Sequence, residues 1–257
     1  MNHEISRRTA LGLGAAAGVS VLLGSSAVAA EEKRRVIVWS EGTEPAKVYP
    51  DGIRGAIAAS LKPLDGWEII TRTITDDAQG VPEEDLTKTD VLVWWGHKRH
   101  NDIKDETVDR IEKHVKENGM GFIAVHSSHF ARPYKRLMNT PCSWSHYVDD
   151  GSFTQILVMT PKHPIAKGVE DFQIPHNERY GDPFRCPKPE TVIFGGIYTL
   201  PDGSREFSQQ GLVWTVGKGR VFYFQPGHET YPILFQKECQ QVMRNAVQWC
   251  APERAAV

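Results

Sequence analysis

The sequence predicts an α/β protein built on a single doubly wound, mostly parallel sheet with flanking helices, and three observations carry that reading. Segments with strand and helix patterning alternate along most of the chain. Asp90–Trp95 is apolar at every position after its first, as a central parallel strand covered on both faces must be. Two strand-like runs end in histidines: Gly121–Val125 leads into His126, Ser127, Ser128 and His129, and Arg220–Gln225 leads into Pro226, Gly227, His228 and Glu229. Open α/β sheets bind ligands at the carboxyl ends of strands, so the two runs point to one cleft.

Taken in order, Arg35–Trp39 reads as the first strand, and Ile53, Ile57 and Leu61 behind Pro50 mark an amphipathic helix. Trp67–Ile74 and Asp90–Trp95 read as the second and third strands. Asp105 is expected to cap a helix whose inward face is Val108, Ile111 and Val115, with Asn118 and Gly119 stopping it just before Gly121–Val125. From Pro133 to Pro189 prolines, aromatics and histidines break the pattern, and only Phe153–Met159 reads as a strand. Long irregular stretches in a compact domain are more often functional than idle. Thr191–Ile197 and Gln210–Val216 read as strands, the second turning at Lys218 and Gly219 into Arg220–Gln225. A closing helix is expected from about Tyr231 to Cys250, with Leu234, Cys239, Val242, Ala246 and Trp249 on one face.

Residues 1–29 stand apart. Arg7 and Arg8 precede an Ala/Gly-rich apolar run ending in Ala27, Val28 and Ala29, the pattern of a twin-arginine-type signal with an A-x-A cleavage site. Ala10 departs from the phenylalanine common at that position. The expectation is a mature domain of residues 30–257, exported to the periplasm or beyond, without stable membrane association after cleavage. The run is short and only mildly apolar beside the ~20 residues a spanning helix needs. Loss of Glu4, Arg7 and Arg8 takes the chain from 30 basic and 32 acidic residues to 28 and 31, a net charge of −3. That balance argues against nucleic acid or an anionic membrane surface as a partner. Cys142, Cys186, Cys239 and Cys250 show no C-x-x-C spacing, against a zinc ribbon or redox dithiol. Their disulfide state is open, except that Cys239 and Cys250, about 16 Å apart along one helix, cannot bridge.

Imidazole and carboxylate together suit acid/base work or a divalent ion such as zinc or manganese. His126, Glu178 and His228 are therefore the candidate catalytic groups, and His126, His129 and His228 the candidate metal ligands. His228 is expected just ahead of the closing helix, whose dipole would keep its ring neutral. A sugar ring stacks its apolar face on indole while polar neighbours meet its hydroxyls. Trp39, Trp95 and Trp144, with Glu41, His97 and Arg179, are the candidate substrate-binding residues. Ser40–Pro45, after the first strand, lacks the G-x-G-x-x-G fingerprint, so no nucleotide cofactor is expected.

Four ordered motifs carry a family resemblance: Ala124–Ser127, His163–Gly168, Asn177–Tyr180, and Gly217–Phe224 with Gly227 and His228. Together they resemble the ThuA, or trehalose-utilisation, family over essentially the whole mature chain. The resemblance implies a class I glutamine-amidotransferase-like, flavodoxin-like fold and a role in carbohydrate utilisation. It further implies keto-sugar derivatives of disaccharides as the substrate class; with no dinucleotide fingerprint after the first strand, any sugar oxidation is expected to fall to a separate dehydrogenase in the pathway. Asn177 stands where the family often has aspartate, and export departs from its many cytoplasmic members. Glutamine hydrolysis needs a cysteine thiolate on a tight strand-to-helix turn, and Val125–Ser128 offers neither cysteine nor glycine. The expectation is a metal-assisted or acid/base enzyme that isomerises, eliminates from or hydrolyses a keto-sugar or disaccharide derivative. The alternative is a non-catalytic sugar-binding or accessory protein.

Overall fold

Strands that are apolar on both faces form the centre of the sheet: β1 (Arg34–Ser40), β3 (Val91–Trp95), β4 (Gly121–Val125) and β9 (Gly219–Phe224). The computed structural model describes residues 33–254, so the expected export signal lies outside the described residues. With β2 (Trp67–Thr73) at the edge, these strands run parallel in the order β2-β1-β3-β4-β9. This is the 2-1-3-4-5 order of flavodoxin-like sheets, with β9 in fifth place.

Alternation along each strand sends neighbouring side chains into two cores. Val38, Val93, Trp95, Val125 and Phe224 join the core built with α1 (Gly52–Leu61) and α5 (Lys237–Cys250). Trp39, Trp94, Phe122 and Tyr223 join the one built with α3 (Asp105–Asn118) and α4 (Arg132–Met138). A short α2 (Glu83–Leu86) precedes β3. Gly119 ends α3 as expected, at φ +80°, a left-handed conformation open to glycine, with its N–H on the His114 carbonyl. The start of α3 differs. Lys104 is the cap residue, and Asp105 is the first helical residue, its carboxylate paired with Arg132.

The largest departure lies between Pro133 and Pro189. Beyond α4, the stretch expected to be irregular folds into the long antiparallel strands β5 (His146–Val158) and β6 (Phe172–Gly181). With β7 (Thr191–Thr199) and β8 (Arg205–Val216) they extend the sheet as β9-β8-β7-β5-β6. Periodicity missed β6 because Pro175 and the polar run His176–Arg179 hide it. An edge strand tolerates proline. A second departure concerns the closing helix, which begins at Lys237; Ile233–Phe235 form a separate 3-10 turn. His228 therefore has no helix start beside it, and the dipole argument fails. The four cysteines are free. No helix among the described residues is long and apolar enough to cross a membrane.

Candidate active site

The parallel strands deliver their carboxyl ends side by side, so that Glu41 follows β1, His97 follows β3, His126 follows β4 and His228 follows β9. Strand β6 brings Glu178 and Tyr180 to the same place. His126 Nε2 lies 3.0 Å from Glu178 Oε2, and His228 Nε2 lies 3.8 Å from that same oxygen. The Tyr180 hydroxyl donates to Glu178 Oε2 at 2.7 Å and stands 3.1 Å from His126 Nε2. All four side chains are buried. Ligating atoms of His126, Glu178 and His228 lie within 4.8 Å of one another, a spacing able to hold a metal ion.

His126 occupies a sharp turn at the end of β4, with φ +55°. A left-handed conformation disfavours a side-chain-bearing residue by roughly 1–2 kcal/mol. Two contacts hold it there. Its Nδ1–H donates to the Gln225 carbonyl at 2.8 Å, and Gly227, at φ +137°, packs so close that a Cβ there would sit 3.3 Å from His126 Cβ. Trp95 Nε1–H donates to the Gly227 carbonyl at 3.1 Å and fixes the approach to His228. The Thr230 N–H donates to His228 Nδ1 at 3.2 Å. A neutral His228 ring therefore carries its proton on Nε2, pointed at the carboxylates.

Burial alone would raise the Glu178 carboxyl, but the hydrogen bond and charge of His126, the Tyr180 hydroxyl and the His228 charge hold it down at about 2. Burial, reinforced by His126, pushes His228 below its ordinary value, against the pull of Glu229, Glu178 and Asp149. Glu229 resists burial likewise: its bond to His97 Nε2 at 2.9 Å and the charge of His228 keep it at about 2. His97 Nδ1 meets Ser127 Oγ at 3.0 Å, and that hydroxyl spends its proton on the Gly96 carbonyl. His97 is therefore oriented as a donor on the Ser127 side.

The other expected residues take varied places. Trp39 is only 1% exposed and stacks on Trp94 at 3.6 Å inside the core, so no ligand reaches its ring. Trp95 is fully buried, and Trp144, 8% exposed, stacks on Phe184 at 4.2 Å. Glu41 accepts the N–H groups of Lys98 and Arg99 and so holds the loop carrying His97. Arg179 neighbours Glu178 in sequence but projects from the opposite face of β6, where it pairs with Glu206 at 2.7 Å and Asp150 at 3.3 Å. His129 does not join His126 and His228. Its Nδ1 lies 3.2 Å from the His126 carbonyl, its ring packs among Phe130, Trp144, Phe184 and Tyr223, and burial pushes it down to about 3. Glu178 completes the trio instead. Sequence reasoning passed over Tyr180 and Asp149, although Tyr180, two residues beyond Glu178, must share its face of the strand.

The order of the parallel strands, with helices on both faces, gives an α/β fold of the class I glutamine-amidotransferase-like kind, here with His126 and no cysteine at the turn after β4. The model of the ThuA family, described as trehalose utilisation, matches residues 35–250, and the chain belongs to that family. A ThuA-like protein from Bacteroides uniformis is 18% identical, with a TM-score of 0.62 over 88% of this chain and 95% of its own. One from Parabacteroides merdae is 15% identical, with a TM-score of 0.62 over 85% and 90%. A glutamine amidotransferase from Thermotoga maritima, 12% identical, has a TM-score of 0.52 over 84% and 96%. These likenesses show the fold. No curated protein matches the chain in sequence.

Proposed function

We propose that this member of a carbohydrate-utilisation family is an enzyme that moves protons on a keto-sugar or disaccharide derivative, with His126, Glu178 and His228 as its catalytic groups. The observation carrying the reading is the convergence of two imidazole nitrogens on one buried carboxylate at the strand ends. In isomerisation or elimination next to a ketone, a proton leaves carbon while negative charge gathers on the carbonyl oxygen. His228 Nε2–H, on a ring kept neutral, donates a hydrogen bond to that oxygen, as a neutral imidazole can. Glu178, oriented by His126 and Tyr180, accepts the proton. A carboxyl held at about 2 is a weak base at neutral pH. The rate must therefore come chiefly from stabilisation of the oxyanion.

A divalent ion, zinc or manganese, is the second reading, favoured by the spacing of the three donors. His126 fits it, because its Nδ1–H is fixed by a backbone carbonyl and its Nε2 faces Glu178. His228 fits it less well, because ligation through Nε2 needs the tautomer that surrenders the Thr230 N–H bond. Bound there, an ion would polarise the ketone in place of His228 Nε2–H. Export by the twin-arginine route, a separate dehydrogenase that supplies the ketone, and the absence of a nucleotide cofactor complete the proposal.

The test incubates the purified chain with mono-keto trehalose in heavy water, beside a measurement of metal content. The expected result is turnover with deuterium at the carbon next to the ketone, reduced about 10²–10⁴-fold in Glu178→Gln and His228→Gln. A folded parent that neither converts the ketone nor exchanges its protons overturns the proposal. Metal that is stoichiometric in the parent and lost in His126→Ala and His228→Ala decides for the ion.

A further inference from the structure

We infer that Tyr147 is the platform on which the sugar ring stacks, with Asp149 as the acceptor for its hydroxyls; this rests on the proposed activity on a sugar. The tryptophans that the sequence offers for stacking are all buried, Trp39 at 1%, Trp95 at 0% and Trp144 at 8% exposure. Tyr147 is 67% exposed. Among the described residues the other large apolar side chains that are exposed lie elsewhere: Phe235 packs on Tyr49, while Met159 and Phe207 border Gly195.

Strand register places Tyr147 at the site. It pairs directly opposite Tyr180 in the antiparallel ladder of β5 and β6, so the two rings stand on one face, 6.5 Å apart and edge to face. Tyr180 is the residue whose hydroxyl touches both Glu178 and His126. Asp149, two residues along β5, projects on the same side, and its Oδ2 lies 3.9 Å from His228 Nε2. Its Oδ1 accepts the Tyr231 hydroxyl at 2.8 Å, which holds the carboxylate at the rim. Lys98, 59% exposed with Nζ 3.6 Å from Glu229, adds a donor beside the buried groups. The buried trio is thus bordered by an open aromatic face, a carboxylate and an ammonium. A sugar presents the matching chemistry, an apolar C–H face flanked by hydroxyls that both donate and accept.

The experiment titrates trehalose and its mono-keto derivative into the full chain by calorimetry and follows turnover of the ketone. Tyr147→Ala is expected to weaken binding and raise KM about tenfold or more, with kcat within about twofold of the parent, the signature of lost binding that is equal in ground and transition states. Tyr147→Trp is expected to restore KM. An unchanged melting temperature in both variants, expected for so exposed a position, separates the effect from unfolding. A parent that turns the ketone over while Tyr147→Ala keeps the parental KM overturns the platform and leaves the proposed activity standing. A parent that neither binds nor converts either sugar overturns both.

Discussion

The parallel half of the sheet and its antiparallel wing meet at one site and contribute to it differently. In the parallel half the central strands β1, β3, β4 and β9 are covered on both faces by apolar side chains, and the chemistry is confined to the loops beyond their ends, where Glu41, His97, His126 and His228 stand. In the wing polar groups run through the interior of the strands. Tyr198 and Gln210 both bond the Gln225 side chain, which also donates to Ser208. Asn177, Thr154 and Gln210 each bury a side-chain atom without a protein hydrogen-bond partner. Glu178, Tyr180 and Asp149 come from the strands of this region. The lesson is a division of labour: an apolar scaffold fixes the histidines through its backbone, and a polar layer carries Glu178 and Asp149 to them.

The widest gap between the two halves should appear in stability. Phe222→Ala, in the parallel core, is expected to destabilise by about 3–5 kcal/mol. Asn177→Ala, in the wing, should change stability by no more than about 1 kcal/mol, because removing an amide that lacks a partner offsets the lost packing. Urea unfolding of both variants decides, and equal losses would erase the contrast.

Acid should act next, through groups on either side of the turn after β4. His129, held at about 3 against its ordinary 6.5, stays neutral in the folded chain while the unfolded chain takes up a proton. Its contribution is fully present above pH 6.5 and is lost as the pH falls toward 3. Glu178, at about 2 against 4.5, adds a loss that begins only below about 4.5. His129→Phe should therefore flatten the acid limb between pH 6.5 and about 3, by up to about 1.4 kcal/mol per pH unit, most plainly above 4.5 where Glu178 does not yet contribute. An unaltered slope between pH 6.5 and 4.5 would assign that limb to other groups.

The smallest expected effect on turnover is at Glu41, which only supports the site. Burial opposes its charge, but bonds from Thr43 and from the backbone of Lys98, His97 and Arg99 hold it below the carboxylate range. Glu41→Gln should destabilise by about 1–2 kcal/mol and lower turnover far less than Glu178→Gln does. A loss of turnover equal to that of Glu178→Gln would move Glu41 into the catalytic group.

Much of this was legible in local patterning. Short apolar runs with β-branched and aromatic residues specify a strand wherever both faces are covered, so β1, β3, β4 and β9 could be read residue by residue, and the histidines at their ends with them. The wing was not legible in this way. In β6 the residues from His176 to Arg179 look like a loop, since all four are polar; Glu178 is buried against His126, and Arg179 against Asp150 and Glu206, groups remote in sequence. Which face Glu178 and Arg179 would take depends on the register of β6 against β5, and a slip of one residue would exchange them. The inward turn of Trp39, Trp95 and Trp144 was settled likewise by packing across layers, as was the pairing that sets Tyr147 against Tyr180. Hydrophobic period and turn chemistry act over a few neighbours and so are written in the chain. The meeting of His126, Glu178 and His228 joins residues 50 or more positions apart, and only the closed sheet brings those positions together.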